Sequence, residues 1–378
     1  MKIQFNTKDF LQKLRIVKNV VDLKHPASIL HNVKIVTDKK KGAVIHATDK
    51  KTSINLPVDC EVIVPGESLI PIADCIKILA ATKEKTVVIE YTNGRATVGG
   101  KTRFDVPHPD EFPNVIAFSQ KAYYEICGID FAKMVKRTTF TVNEKDYKAE
   151  YHGVWFEFAD KSNAVFAVAT DGRRLAVQKG DVTAVNQPAE QPVLVPIKPL
   201  VLLEKIIKEK SGVPPCVQMA IVRNKGKSQT AVFQCRGVTL WSPLIEARPM
   251  PWRAIIPNDK AITTTIRCSD LIYAVEQLTV TNKKGEWEED VLMTFRNNGG
   301  QSQLQLKNNC GDVTLPIAFA MGEVIATIVP SRLASVLKVL DADTVINIHL
   351  RTGNAIMVDT SDGFRYLMFV LGGVQVER

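Results

Sequence analysis

The order of apolar and polar residues predicts two kinds of element that recur along the chain. Runs in which alternate residues are apolar, such as Val87 to Tyr91 and Ala96 to Val98, are typical of half-buried β-strands. Asn93-Gly94 lies between these two runs and predicts a tight hairpin, because both residue types accept positive φ. Other segments carry apolar residues three and four positions apart, which predicts amphipathic helices.

Two kinds of helix start each occur three times. In one kind an Asp precedes apolar residues at helical spacing, and an acidic residue suits the free N–H groups of a first turn. In the other kind an apolar residue and a proline precede the helix, as in Ile70-Pro71, Val195-Pro196 and Val329-Pro330. The first kind occurs at Thr7 to Leu14, Gly128 to Val135 and Cys268 to Val275.

Both kinds return after about 120–140 residues, which is the length of a domain. The sequence therefore predicts an α+β fold of three similar domains, each with two helices packed on antiparallel sheets. The expected domains cover residues 1–117, 118–253 and 254–378, with proline-rich joints between them.

The most distinctive stretch runs from Val168 to Val177, where two apolar arms flank Thr-Asp-Gly-Arg-Arg. Asp bonds its own backbone and Gly accepts positive φ, so the stretch predicts a strand, a tight corner and a second strand. Arg173 and Arg174 would be displayed at the corner. From the residues alone, the corner can equally be interpreted as an exposed turn or as a binding site. A weaker echo is Ala47-Thr48-Asp49-Lys50-Lys51.

The chain of 378 residues has a formal net charge of +9. Counted over the six predicted helical segments alone, the charge is about +12, which leaves about −3 for the remainder. Basic helices beside a mildly acidic remainder suit contact with a phosphate backbone without base recognition. The alternative is that helices merely expose charged, solvated faces.

Other classes of function receive little support from the sequence. Gly99-Gly100-Lys101-Thr102 has neither the glycine spacing nor the following helix of a phosphate-binding loop. Neither a nuclease nor a nucleotide hydrolase has a candidate constellation, and we expect no metal and no cofactor. The seven scattered cysteines indicate reduced thiols. Without an apolar run of membrane length or a signal sequence, we expect a cytoplasmic protein.

The stretch from Val168 to Val177 resembles the bacterial sliding clamp family, the β subunit of DNA polymerase III. Similar matches occur in family order along the whole chain, at Met1 to Ile3, Asp9 to Leu11, Ile29 to Val33, Glu111 to Asn114 and His152 to Glu157. The resemblance implies a non-enzymatic processivity factor with three clamp domains. Two chains in a head-to-tail homodimer would form a six-domain ring around double-stranded DNA, with the helices lining the hole.

The resemblance also implies functional residues. Its partners would be the DNA polymerase III alpha subunit, the clamp loader and other proteins with clamp-binding peptides. The implied peptide pocket comprises Lys148, Tyr151, Thr170, Gly172, Arg173, Arg174, Leu175, Met250, Ile255, Leu367, Met368, Phe369, Val370 and Leu371. The expected DNA contacts are Lys24 and Lys148, to which the helical faces add Lys136, Arg137, Lys198 and Lys205. The dimer interface would bring Phe104 and Val106 against Thr279 and Val280.

Several positions depart from the family pattern. Lys148 and Tyr151 stand where the family has Arg and Leu, and the C-terminal strand continues through Gly372-Gly373 to Arg378. These departures support an alternative hypothesis, in which the chain is a clamp-like paralogue that serves as an interaction scaffold with altered partner specificity.

Overall fold

The computed structural model describes residues 1–40, 42–113, 118–159, 163–186, 191–208, 215–224, 227–256, 262–279, 290–298, 301–320, 322–350 and 353–377. Within these ranges seven α-helices occur: α1 Thr7–Val17, α2 Ile72–Ala81, α3 Gly128–Thr138, α4 Ile197–Ile207, α5 Trp252–Ile255, α6 Cys268–Thr279 and α7 Pro330–Leu337. None of them has the length and apolar character needed to cross a membrane.

The strands of the first third of the chain are β1 Lys2–Asn6, β2 Asn32–Asp38, β3 Gly42–Thr48, β4 Ser53–Val58, β5 Glu61–Val64, β6 Gly66–Pro71, β7 Thr86–Thr92, β8 Arg95–Val98 and β9 Thr102–Asp105. The middle third contains β10 Tyr123–Cys127, β11 Gly153–Ala159, β12 Ala164–Thr170, β13 Arg174–Asp181, β14 Thr183–Val185, β15 Val193–Pro196, β16 Cys216–Asn224, β17 Lys227–Cys235 and β18 Val238–Pro243. The last third contains β19 Ile262–Arg267, β20 Val291–Asn298, β21 Gln301–Asn308, β22 Gly311–Pro316, β23 Glu323–Ile328, β24 Val345–Leu350, β25 Gly353–Asp359 and β26 Phe364–Glu377.

One order of elements occurs three times along the chain. A strand leads into a helix, a group of strands leads into a second helix, and three strands follow. The six helices predicted from the two kinds of start are confirmed as α1 to α4, α6 and α7. The helix α5 was not predicted, because its single turn lies in the proline-rich segment expected to be a joint.

Local turn chemistry accounts for the first of these three-strand groups. Strands β7 and β8 pair with Thr92 opposite Arg95, which leaves a two-residue loop. Asn93 and Gly94 in this loop have φ values of 48° and 79°. Positive φ at both central residues matches the right-handed twist of the paired strands, so the predicted Asn-Gly hairpin is confirmed.

The described chain forms two compact units. The first comprises Met1–Ala132, Val182–Ala189 and Lys198–Leu244, and the second comprises Lys133–Asp181, Glu190–Ile197 and Ile245–Arg378. The first unit contains a sheet of order β5-β1-β7-β8-β9 and a sheet of order β14-β10-β16-β17-β18-β4-β3-β2-β6. The second contains a sheet whose main path is β15-β11-β12-β13-β26-β23-β20-β21-β22. The three domain boundaries stay a prediction.

Two sheet joints connect strands from different predicted domains. In the first unit β18 pairs with β4, and in the second unit β26 pairs with β13, both antiparallel. The joint between β13 and β26 places the Thr-Asp-Gly-Arg-Arg corner beside the C-terminal strand, and this position defines the candidate site.

Candidate functional site

The corner between β12 and β13 is fixed by its own side chains. Thr170 Oγ1 accepts from Gly172 N at 3.0 Å and donates to Arg174 O at 2.6 Å. Asp171 Oδ1 accepts from the backbone N–H groups of Arg173 and Arg174, each at 2.9 Å. Gly172 has a φ of 79°, a conformation that residues with a Cβ rarely adopt. The predicted corner is therefore confirmed, and the side chains of Thr170 and Asp171 stabilise it.

The similar segment from Ala47 to Lys51 forms a second copy of this corner. In the first unit, Thr48 Oγ1 accepts from Lys50 N at 3.0 Å and donates to Thr52 O at 3.1 Å. Asp49 Oδ1 accepts from Lys51 N at 2.9 Å and Thr52 N at 2.6 Å. Lys50 has a φ of 69°, close to that of Gly172. The matching hydrogen bonds support the internal repeat at atomic level.

Arg174 does not lie free at the edge of a pocket. Its Nε bonds Asp171 Oδ2 at 2.8 Å, its Nη1 bonds Ser335 Oγ at 2.8 Å, and its Nη2 bonds Phe140 O at 3.0 Å. The guanidinium of Arg174 therefore anchors the corner, and its implied place in the peptide pocket stays a prediction. Arg173 is exposed, and its backbone carbonyl accepts from Phe369 N at 3.0 Å.

The two residues that depart from the family pattern lie beside the corner. A Cβ built on Gly172 would lie 2.9 Å from Tyr151 Oη, so the Tyr151 ring covers this glycine. Lys148 Nζ donates to Tyr151 Oη at 3.4 Å and lies 5.4 Å from the centre of the same ring. The hydrogen bond to Tyr151 raises the pKa of Lys148. This wall is thus polar and cationic as well as aromatic.

Strand β26 supplies the opposite side of the site through alternate residues. Leu367 is buried in the apolar cluster beside the corner, and Phe369 and Leu371 are exposed on the same face, Phe369 at 41%. Met368 and Val370 point to the other face and pack in the core around α6 and α7. Successive side chains of a strand face opposite sides, so Met368 and Val370 serve the core here, and their predicted place in the pocket stays a prediction.

An apolar floor connects the two sides. Leu175 and Leu367 face each other across β13 and β26 and are both nearly fully buried. They share a cluster with Val177 of β13 and with residues from five other chain segments: Trp155, Val168, Leu194, Trp252, Ile256 and Met357, with Met250 packed against it. Ile255 is exposed, and its neighbour Ile256 occupies the cluster instead.

The divergent C-terminus extends a strand rather than filling the site. Gly372 and Gly373 have positive φ values of 68° and 80° and introduce a bulge into β26. Beyond the bulge Val374 pairs with Ala326 of β23 and is buried in the adjacent core. The last described residues therefore continue the sheet, and the exposed apolar part of β26 ends at Leu371.

Comparison with known proteins identifies this arrangement. Residues 1–116 match the model of the DNA polymerase III beta subunit N-terminal domain, and residues 125–249 match that of its central domain. The chain belongs to the DNA polymerase III beta subunit family. Members of this family are sliding clamps, processivity subunits without catalytic activity of their own, and the chain is assigned this function.

Individual relatives agree with the assignment. The chain is 23% identical to the beta sliding clamp of Rickettsia bellii over 287 residues, which is 74% of this chain and 73% of the relative. The sliding clamp structure from Bacillus subtilis superimposes with a TM-score of 0.80 at 19% identity and covers 98% of this chain and 99% of its own. The DNA polymerase III subunit beta of Pseudomonas aeruginosa gives a TM-score of 0.80 at 18% identity, with 98% and 100% coverage.

The expected DNA contacts of the first unit are accessible. Lys24 and Lys205 are exposed. Lys198 is half exposed, and its Nζ lies 3.4 Å from Asp49 Oδ2 in the echo corner. The Asp49 side chain is 15% exposed, but the half-exposed Lys198 leaves the pair accessible to solvent and weakened by salt. Lys198 can therefore exchange its carboxylate partner for a phosphate.

The part of α3 that belongs to the second unit, from Lys133 onwards, has fewer unpaired basic side chains than its sequence indicates. Lys136 is partly exposed with its Nζ 3.8 Å from Asp341 Oδ1. Arg137 is 4% exposed, and its Nη1 donates to Gln178 Oε1 at 2.9 Å and to both oxygens of Asp362 at 2.8 Å. The predicted DNA contact of Arg137 is therefore not supported, because its guanidinium is buried and already paired.

The surroundings of Asp362 shift the pKa of its carboxyl group. Burial by itself would raise the pKa of the carboxyl group. Hydrogen bonds from Arg137 and Thr360, together with the charges of Arg137 and Lys133, lower that pKa to about 2. The carboxylate thus remains ionised and holds the buried guanidinium against the sheet, which makes Arg137 a structural residue.

The interface residues are only partly within the described ranges. Phe104 is half-buried in β9, and Val106 follows that strand with its N–H bonded to Gly94 O at 2.9 Å. Thr279 ends α6, but its side chain lies outside what the structure describes, as does all of Val280. The contact predicted between these pairs stays a prediction.

Proposed function

We propose that this sliding clamp acts as a head-to-tail homodimer that closes a six-domain ring around double-stranded DNA. It tethers the polymerase alpha subunit, the clamp loader and other partners through short apolar peptides bound at the corner of β12 and β13. Family membership supports the role, and the sheet edges of the chain support the closure.

The closure follows from the pairing rule of the three repeats. The last strand of the second repeat, β18, pairs with β4 of the first, and the last strand of the third, β26, pairs with β13 of the second. By the same rule β9 would pair with β22, the counterpart of β4 and β13. In the described chain both strands are sheet edges, β9 of the five-stranded sheet and β22 of the twelve-stranded sheet. A second copy would satisfy both edges, since unpaired edges readily accept another strand.

These two edge strands are the observation on which the assembly depends. Replacing Phe104 in β9 by Asp should convert a dimer of twice the 41.9 kDa chain mass into a monomer in light-scattering measurements. Ile63→Asp is the matched control, because Ile63 lies on β5 at the opposite edge of the same sheet and is also partly exposed. A dimer that survives Phe104→Asp, or a wild-type monomer, would contradict the proposed closure.

DNA would be held by long-range attraction rather than by base contacts. The proposed contacts are Lys24, Lys136, Lys148, Lys198 and Lys205, supplemented by the exposed Lys8 and Arg15 of α1 and by Lys18 directly after it. Lysine is a strongly hydrated point charge on a flexible stem, so it attracts phosphates without the fixed geometry of a bidentate arginine. Contacts of this type give sequence-independent, salt-sensitive binding and permit sliding.

Peptide partners would use the floor and the exposed strand face. Leu175 and Leu367 form the floor, while Phe369 and Leu371 offer apolar contact beside it. Arg173 is exposed nearby and can bond polar groups of the peptide. A few apolar anchors with polar groups at the rim are typical of peptide-binding grooves.

The peptide site can be tested by titration of a fluorescent peptide centred on Leu-Leu-Phe. Leu175→Ala should weaken its binding about tenfold, because a buried leucine contact contributes about 1.5–3 kcal/mol. Unchanged affinity in a variant that still dimerises would refute the location of the site.

A further inference from the structure

A cavity adjoins the proposed peptide site in the second unit. Its volume is about 430 Å³. Its apolar wall contains Phe166, Val177 and Trp252, and its basic residues are Lys179, Arg253 and Arg365. The cavity thus combines an aromatic wall with three cationic side chains.

The cavity is continuous with the apolar floor. Val177 follows Leu175 by two residues on β13, and Arg365 precedes Leu367 by two on β26. Val177 pairs with Arg365 just as Leu175 pairs with Leu367. Residues two apart on a strand share a face and lie about 7 Å apart. Val177 and Trp252 also belong to the same apolar cluster as both leucines.

The guanidinium of Arg253 is held in a fixed position on the wall. Its Cζ lies 4.2 Å from the ring centre of Trp252 and 5.0 Å from that of Phe166. Glu157 accepts from Arg253 and also from Trp252 Nε1, the latter at 2.8 Å. Because one carboxylate orients both residues, the helix α5 presents an ordered cationic and aromatic surface.

The other two basic residues lack such a counter-charge. Both Lys179 and Arg365 are exposed, and within the described part of the chain neither is bonded to a carboxylate. Asp359 lies opposite Arg365 on β25, but its oxygens accept from Asn347 Nδ2 at 2.7 Å and from His349 Nε2 at 2.8 Å. The cavity therefore carries excess positive charge.

We propose that this cavity binds acidic side chains that flank the apolar segment of a partner peptide. The proposal rests on the proposed function, because the same peptide must occupy the floor at Leu175 and Leu367. Carboxylates complement Lys179 and Arg365, and the methylene groups of a Glu side chain can pack on Trp252 and Val177. An acidic flank would thus add selectivity to an apolar groove that by itself discriminates weakly.

The test compares two fluorescent peptides centred on Leu-Leu-Phe, one with Glu-Glu on both sides and one with Gln-Gln on both sides. The full-length dimer should bind the Glu peptide about fivefold more tightly, the effect of about 1 kcal/mol from partly exposed charge pairs. The double variant Lys179→Gln/Arg365→Gln should bind both peptides equally. The double variant Lys39→Gln/Lys40→Gln, at two exposed lysines that follow β2, carries the same net charge and should keep the preference.

The outcomes separate the two proposals. Equal binding of the Glu and Gln peptides by the wild type, with both weakened by Leu175→Ala, would overturn the cavity proposal and leave the peptide site intact. A preference that persists in Lys179→Gln/Arg365→Gln would also overturn it. Failure of both peptides to bind the wild type would overturn the peptide site and the cavity proposal together.

Discussion

The pair formed by Arg137 and Asp362 gives a quantitative prediction, because α3 was expected to present this arginine to DNA. The substitution Asp362→Asn keeps the shape of the side chain but removes the charge that faces a guanidinium exposed by only 4%. Breaking a fully buried ion pair costs about 3–5 kcal/mol. Asp362 itself is 38% exposed, so water screens part of the interaction. We expect a loss of about 2 kcal/mol.

Urea unfolding of the purified dimer at neutral pH measures this difference. Asp341→Asn is the matched control, since Asp341 is 86% exposed and 3.8 Å from Lys136 Nζ. It should change stability by less than about 0.5 kcal/mol. If Asp362→Asn is no more damaging than Asp341→Asn, the structural role of Arg137 is refuted.

The pH dependence of the same pair follows from the pKa of Asp362. The folded value of about 2 lies below the ordinary 3.8, so the folded state favours the ionised carboxylate. The stabilisation is therefore fully present above about pH 4 and is lost as the pH falls towards 2. The stability difference between the wild type and Asp362→Asn should shrink across this window. A difference that stays constant between pH 5 and 2 would contradict the cause assigned to it.

Three further predictions concern other parts of the chain. Phe369→Ala should weaken peptide binding without altering stability. Met368→Ala, on the opposite face, should cost about 2–5 kcal/mol of stability in a denaturant titration. Equal effects of the two changes would contradict the assigned strand faces. Lys24→Gln should lower the slope of log affinity for DNA against log salt by about one in binding titrations, and an unchanged slope would remove Lys24 from the contact set. A thiol reagent should modify the exposed Cys310 in the native protein. It should reach Cys75 only after unfolding, because Cys75 is buried and its burial raises the pKa of the thiol to about 12. Rapid reaction of Cys75 in the native protein would refute its burial.

Local chemistry made much of the fold predictable from the sequence. Asn93-Gly94 specifies its hairpin through positive φ, and Thr170 with Asp171 specifies the corner through hydrogen bonds to backbone groups four residues away or fewer. Helix starts with an Asp or a proline were recognisable for the same reason. Each of these signals acts within one turn of chain, so a sequence pattern contains it completely.

Strand periodicity divides the expected pocket segment of β26 between two faces. Leu367, Phe369 and Leu371 alternate with Met368 and Val370, so one strand cannot direct all five side chains into one groove. The continuous segment Leu367 to Leu371 that the family resemblance implies includes residues of both faces. The period of two along a strand places Leu367, Phe369 and Leu371 on the face of the proposed peptide site.

Long-range pairing explains what the sequence could not indicate. Arg137 and Asp362 are separated by 225 positions, and their contact depends on the joint between β13 and β26. A charge count over helices assumes that every basic side chain is exposed, and α3 violates this assumption. The cavity beside α5 likewise combines residues from four chain segments, because burial there is a property of the assembled sheet.

The central claim is that the chain holds DNA by encircling it, and retention on DNA of defined topology tests this most directly. The labelled dimer is loaded with its clamp loader onto a nicked circular plasmid, separated from free protein by gel filtration, and followed after a restriction enzyme linearises the plasmid. We predict that the clamp remains on the circle and leaves the linear product by sliding off its ends. Equal retention on circular and linear DNA would contradict encirclement.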